Sequence, residues 1–206
     1  MQNRNKKFLE IAHKYCDENG MIQELLCNEF CYVAGELNGI AYAAPCTFRD
    51  SCYLCHACNK TKEDSMSYNN YPMGYCMSAR SSTPEAWLRM RWIRPEDQKI
   101  YREKTGVNYF KLSGRTGTTE YLEYIMNAYM SETYDGNLLG LWKPLSSIYD
   151  GKTELKSKTD IDIPNKKLDG FINKWMDGNG WECENHECGY SCRYCEQFAK
   201  EHNLYD

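Results

Sequence analysis

No stretch of this chain approaches the run of about twenty apolar residues needed to cross a bilayer. Its opening, Met-Gln-Asn-Arg-Asn-Lys-Lys, lacks the apolar core of a secretory leader. Histidine is scarce, with four copies at positions 13, 56, 186 and 202. No Ser–His–Asp set and no His-Glu-x-x-His pattern appears, so triad and zincin hydrolysis have little to build on. Excess positive charge is missing too. The 25 Lys and Arg against 29 Asp and Glu leave −4, so only a local basic patch could attract nucleic acid. There is no low-complexity tract. At 206 residues, 42% hydrophobic and 26% charged, the chain suits one ordinary globular domain with an appended module.

What the chain does have is sulfur. Its 12 cysteines fall largely into two groups. Cys46, Cys52, Cys55 and Cys58 lie close together, flanked by Cys31 and Cys76, and Cys183, Cys188, Cys192 and Cys195 form the second group. A C-x2-C pair lets two thiolates from one tight turn reach a single metal or cluster. Cys52-Tyr-Leu-Cys55-His-Ala-Cys58 strings two such pairs together, and the C-terminal spacing C-x4-C-x3-C-x2-C offers four thiolates in one short segment. Disulfides are the alternative, and the sequon Asn59-Lys60-Thr61 would suit a secreted protein. A chain this long does not need a disulfide framework for stability. Metal is therefore the leading reading, and thiol-rich metal motifs without a leader point to the cytoplasm and not to a membrane.

Along the chain, Phe8, Leu9, Ile11, Ala12, Tyr15 and Cys16 predict a helix from Lys6 to Asn19, stopped by Gly20. Met21 to Cys27 reads as a buried strand, so Asn28-Glu29-Phe30-Cys31 would stand at the functional edge of a parallel sheet. Gly35 to Ser82 has little periodicity, and an irregular excursion of that length needs something such as a bound cluster to order it. Ser81-Ser82-Thr83-Pro84 closes it. Arg89–Arg94 and Val107–Leu112 read as strands, each followed by a helix: one opened by Pro95-Glu96-Asp97 and stopped by Gly106, the other capped by Thr118 or Thr119. Asn165 is expected to cap a further helix bearing Leu168, Phe171, Ile172, Trp175 and Met176, and a short helix should span Arg193 to Glu201. Successive βα units make parallel sheets. The expected divisions are 1–34 (helix and first strand), 35–82 (metal-binding insertion), 83–180 (βα units) and 181–206 (cysteine knuckle).

Four strings carry a family resemblance: Ile93-Arg-Pro-Glu-Asp97, Asn108-Tyr-Phe-Lys-Leu-Ser-Gly-Arg115, Tyr134-Asp-Gly-Asn-Leu138 and Asn165-Lys-Lys-Leu-Asp-Gly-Phe171. With Asn28-Glu29-x-Cys31 and Cys46-x-x-Arg49, their order resembles the collagenase-like peptidase family U thirty-two. The resemblance implies an α/β fold, a partial TIM-barrel-like set of parallel βα units lacking the N-terminal half-barrel, so another chain (a copy or a different protein) would complete it. It also implies a [4Fe–4S] cluster at the barrel mouth and an oxygen-independent hydroxylase acting on RNA or a small aromatic ring, with the family's peptidase label as the alternative. A non-catalytic, metal-stapled binding subunit is a third possibility. Thr47 replaces the proline and Cys52 the histidine of the usual Cys-Pro-x-Arg-x-x-His element.

Within that frame Cys46, Cys55, Cys58 and Cys76 are the preferred cluster ligands, with Cys31 and Cys52 as competitors. The C-terminal four would hold a second cluster or structural zinc, since both metals accept tetrahedral sulfur. Arg94, Lys111 and Arg115 sit at or past strand ends, where cations can grip an anionic substrate or cofactor, and Ser113 and Gly114 can add backbone donors ahead of a helix. Ion pairing of these cations with Glu29 or Asp97 is the plainer reading. Glu29 is the candidate general base, with Lys111 and Arg115 as its catalytic companions.

Overall fold

The computed structural model describes residues 3–29, 35–37, 40–42, 83–115, 117–142, 161–178, 183 and 192–205. Cys31, Cys46, Cys52, Cys55, Cys58, Cys76 and Cys188 lie outside the described residues.

Helix α1 (Lys6–Glu18) starts where Asn5 accepts a hydrogen bond from the Phe8 amide at 2.9 Å. It buries Leu9 and leads to strand β1 (Glu24–Leu26). A backbone hairpin follows, β2 (Gly35–Leu37) paired antiparallel with β3 (Ile40–Tyr42). Helix α2 (Pro84–Leu88) begins with proline in its first turn, where the missing N–H costs nothing. Arg89 ends that helix, and the strand expected over Arg89–Arg94 does not form: beyond a single bridge at Met90 the segment carries no regular secondary structure. Helix α3 (Asp97–Thr105) stops at Gly106, whose φ of +79° strains any other residue and where an added Cβ would lie 2.4 Å from the His13 ring. Strand β4 (Tyr109–Lys111) then pairs parallel with β1, in register Glu24–Tyr109 and Leu26–Lys111. Helix α4 (Thr119–Ser131) is capped by Thr118, which accepts from the Tyr121 amide at 3.3 Å.

Two 3-10 turns, Leu138–Leu141 and Asn165–Leu168, precede the short α5 (Asn173–Met176) and the final α6 (Tyr194–Glu201). The helix expected from Asn165 is thus broken in two. Asn165 does not cap it: it is the first residue of the 3-10 turn, after Pro164, and its side-chain nitrogen donates to Glu96 and to the Tyr134 carbonyl.

The strand pair has a third neighbour. The Cys27 amide donates to the Lys111 carbonyl at 2.9 Å, and the Cys27 carbonyl accepts from Ile93 at 2.9 Å. Asn3 stitches the same seam by donating to the carbonyls of Leu26 and Arg91 at 3.0 and 3.1 Å. The core is aromatic: Trp87, Trp92, Tyr101, Tyr121, Phe171 and Trp175 are all buried, with α2 against α6 and α1 against α3. No helix among the described residues is long and apolar enough to cross a membrane. Among those residues one parallel strand pair represents the expected βα series.

Candidate functional site

β1 and β4 end together, and parallel strands present the residues after their C-termini on one edge. Asn28 follows β1 and is fully buried. Its amide nitrogen donates to the carbonyls of Ser113 (3.1 Å) and Leu141 (3.0 Å), and its side-chain oxygen accepts from the Ser113 amide at 2.6 Å. Ser113 Oγ returns a bond to the Asn28 carbonyl at 3.3 Å. One asparagine therefore pins both strand ends to the turn before Trp142. Gly114 continues the rim at φ +102°, and a Cβ there would lie 2.7 Å from the Tyr121 ring. The turn closes with Gly117 donating to the Gly114 carbonyl at 2.7 Å, immediately ahead of the α4 N-terminus.

The expected site residues separate on this frame. Ser113 and Gly114 lie on the rim, Arg115 is exposed beside them, and Glu29 is partly exposed one residue beyond Asn28. Lys111 is not drawn to the rim. Its ammonium turns back along the same sheet face to Glu24 at 3.0 Å, an exposed pair. Arg94 turns inward. It holds Asp97 with two bonds, Nε to Oδ2 at 3.0 Å and Nη2 to Oδ1 at 2.8 Å. Its Nη1 donates to the Asn165 carbonyl (2.8 Å) and to Asp169 (2.9 Å).

Arg94 belongs to a network in which three of the resemblance-carrying strings meet. Asn165 donates to both Glu96 oxygens at 2.9 Å and to the Tyr134 carbonyl at 2.8 Å. The Tyr134 amide and Lys166 also donate to Glu96, at 2.8 and 3.0 Å. Asn137 accepts from Leu139 and Ile163, while the Asn165 amide reaches the Gly136 carbonyl at 2.9 Å. Those strings are tied together because each satisfies the polar groups of the others.

Burial pushes the Glu96 carboxyl up, but the bonds from Asn165, Tyr134 and Lys166 outweigh it and hold it below the usual glutamate range. A carboxyl lowered on folding contributes stability above its ordinary pKa of about 4.3 and loses it as the pH falls through the lowered value. Glu96→Gln should therefore cost stability at neutral pH, with the gap to the parent closing in acid. Urea midpoints measured from pH 7 to about pH 3 test this, and a gap that widens in acid would contradict it.

Sequence reasoning placed Asn28 at the sheet edge after a buried strand but did not foresee that its side chain pins the rim. It also missed Arg4, which is completely enclosed. The Arg4 guanidinium lies 4.7 Å from the Trp175 ring centre, 5.3 Å from Trp92 and 5.4 Å from Phe171. Of the C-terminal sulfurs described, Cys183 and Cys195 are buried and Cys192 is partly exposed. Among the described residues no group of three His, Cys, Asp or Glu is disposed to hold a metal.

No family model matches the chain, and no solved structure matches it. Among curated proteins it is similar to an uncharacterized protease of Methanocaldococcus jannaschii, 29% identical over 182 residues. That alignment takes in 88% of this chain and 48% of the archaeal protein, so the chain spans about half the length of that relative.

Proposed function

We propose that this chain is a peptidase-type protein related to family U thirty-two, working at the rim where β1 and β4 end. In this reading Glu29 is the base that activates water toward a peptide carbonyl, and Arg115 anchors an anionic group of the substrate. The similarity to the archaeal protein, which bears the name of a protease, is the observation that carries it. The rim supports the assignment with chemistry of the right kind: a carboxylate, a guanidinium and the N-terminus of α4 with its orphan N–H groups. Arg94 and Lys111 are left out, since Asp97 and Glu24 already engage them. A partial barrel of parallel βα units, completed by a second chain, belongs to the same proposal.

The second reading is the iron–sulfur hydroxylase acting on RNA or an aromatic ring. Six cysteines between Cys31 and Cys76 favour it, and a cluster held by four of them would supply redox chemistry.

Fluorogenic peptides and gelatin, offered to protein purified with and without oxygen, separate the two. The peptidase reading expects cleavage. It also expects Arg115→Ala to raise KM roughly ten- to hundredfold with kcat little changed, as losing one charge-assisted hydrogen bond would. A brown anaerobic preparation whose visible absorption bleaches on reduction, and which cleaves no peptide, would move the assignment to the hydroxylase.

A further inference from the structure

We infer that α1 is a self-association surface, on which a second copy of this chain lays its own α1 antiparallel across a two-fold axis. This rests neither on the rim reading above nor on completion of a barrel.

Helix α1 carries a second apolar face. Its inner side is accounted for, since Leu9 is buried and the helix packs on α3. Phe8, Ile11 and Tyr15 are nevertheless 46%, 61% and 59% exposed. Their three- and four-residue spacing gathers them into one stripe, about 100–160° round the helix from Leu9. Apolar residues scattered over a surface are ordinary, but a contiguous row of large ones marks a contact site. Met21 and Ile22, also exposed, follow at the end of the helix, where the Met21 amide donates to the Cys16 carbonyl at 2.7 Å.

The charges say what covers the stripe. Lys6 and Lys7 open α1, and Asp17 and Glu18 close it, with no acid in the first turn and no base in the last. That order opposes the helix dipole, which favours acids at the N-terminus and bases at the C-terminus. An antiparallel copy reverses the penalty, because it brings two acids to each N-terminus and two lysines to each C-terminus. With Ile11 beside the axis, Phe8 of one helix faces Tyr15 of the other. Lys7 and Glu18 border the stripe on the same side, so each lysine lies against the other copy's glutamate. The contacts repeat across the axis, as an isologous pair requires. Within the helix Lys6 pairs with Glu10 and Lys14 with Glu18, each at 3.8 Å on the exposed surface, too loosely to hold them from a partner. Lipid is the poorer occupant. Three lysines against three acids leave α1 neutral, whereas helices that lie on membranes carry a cationic face. A paired length of about 20 Å makes a small interface, so the dimer forms and dissociates with concentration.

Sedimentation velocity of the full chain, from about one to a few hundred micromolar, tests this. The mass should rise from monomer toward dimer across that range. Ile11→Glu sets two carboxylates together at the axis and should raise the dissociation constant at least about tenfold, with helical circular dichroism unchanged. Met130→Glu, at an equally exposed position on α4, should leave it where it was. Lys7→Glu and Glu18→Lys should each weaken the dimer about three- to tenfold, and the two together should restore most of the loss. Each reversal suits the helix dipole, so neither should lower the urea midpoint of the monomer, which separates a lost contact from a damaged fold. A monomer at every concentration, a dimer indifferent to Ile11→Glu, or reversals that add instead of cancelling would each overturn the inference. A monomer that pellets with phosphatidylserine vesicles, and ceases to on Ile11→Glu, would give the stripe to lipid instead.

Discussion

Arg94→Met should destabilise the protein by about 3–5 kcal/mol, because it strands a buried carboxylate. Arg94 is 2% exposed and Asp97 1% exposed. The two are joined by paired bonds of 2.8 and 3.0 Å, the strongest arrangement an arginine and a carboxylate make. Asp169 adds little, since its side chain is mostly in water. The loss therefore comes from Asp97 and from the Asn165 carbonyl left without its donor. Burial already pushes the Asp97 carboxyl up even with Arg94 beside it. A buried acid with a raised pKa favours the folded state while protonated and loses that advantage as the pH rises, so the Arg94→Met deficit should be smaller at pH 5 than at pH 8. Adding Asp97→Asn should recover more than half of it. Urea denaturation of the single and double variants measures both effects. A deficit under about 1 kcal/mol would mean that the pair is dispensable.

Phe171→Ala should cost a comparable amount, about 3–5 kcal/mol, through a cavity at the aromatic centre. Phe171 is fully buried and stacks on Trp92 at 5.5 Å and on Tyr194 at 5.4 Å. It meets Trp175 edge-on at 5.3 Å and Phe198 at 4.9 Å. It joins α5 and α6 to the extended stretch beside β1, and its carbonyl accepts from Tyr194 Oη at 2.7 Å. Its removal also uncovers one face of the Arg4 guanidinium. Besides a lower urea midpoint, the variant should be cleaved earlier by protease within residues 192–205, where α6 would loosen first. Phe171→Leu keeps most of the volume and should lose less than half as much. Equal losses from Ala and Leu would point to ring stacking, not cavity formation, as the dominant effect.

The long periodic helices were legible. Lys6 to Asn19, the stop at Gly106 and the cap at Thr118 all carry local chemistry: apolar spacing, a left-handed glycine, a side-chain oxygen one turn before the helix. The short elements were not. Pro84–Leu88 has too few residues to show a period, and its helix depends on Trp87 and Leu88 being buried. Asn165 looked like a cap because a lone asparagine before an apolar run is one. In the fold it lies one residue further on, inside a 3-10 turn that follows Pro164, with its side-chain amide nitrogen on Glu96.

The same distinction divides the rim. Sequence spacing put Arg94, Lys111 and Arg115 at or past strand ends, and a strand's two-residue period places backbone well. It does not aim a long side chain. Asp97, Asn165 and Asp169 pull Arg94 inward and Glu24 pulls Lys111 back, leaving Arg115 exposed beside Ser113 and Gly114.

By itself the sequence determined the cysteine spacing and the long helices with their stops, because each depends on neighbours a few residues apart. The tertiary structure decided which cations are spent on the fold, which asparagine pins the rim, and that Arg4 ends up among aromatic rings beside Cys183. Those outcomes depend on burial. A buried polar group must find its partner wherever in the chain that partner lies, and one-dimensional spacing carries no record of it.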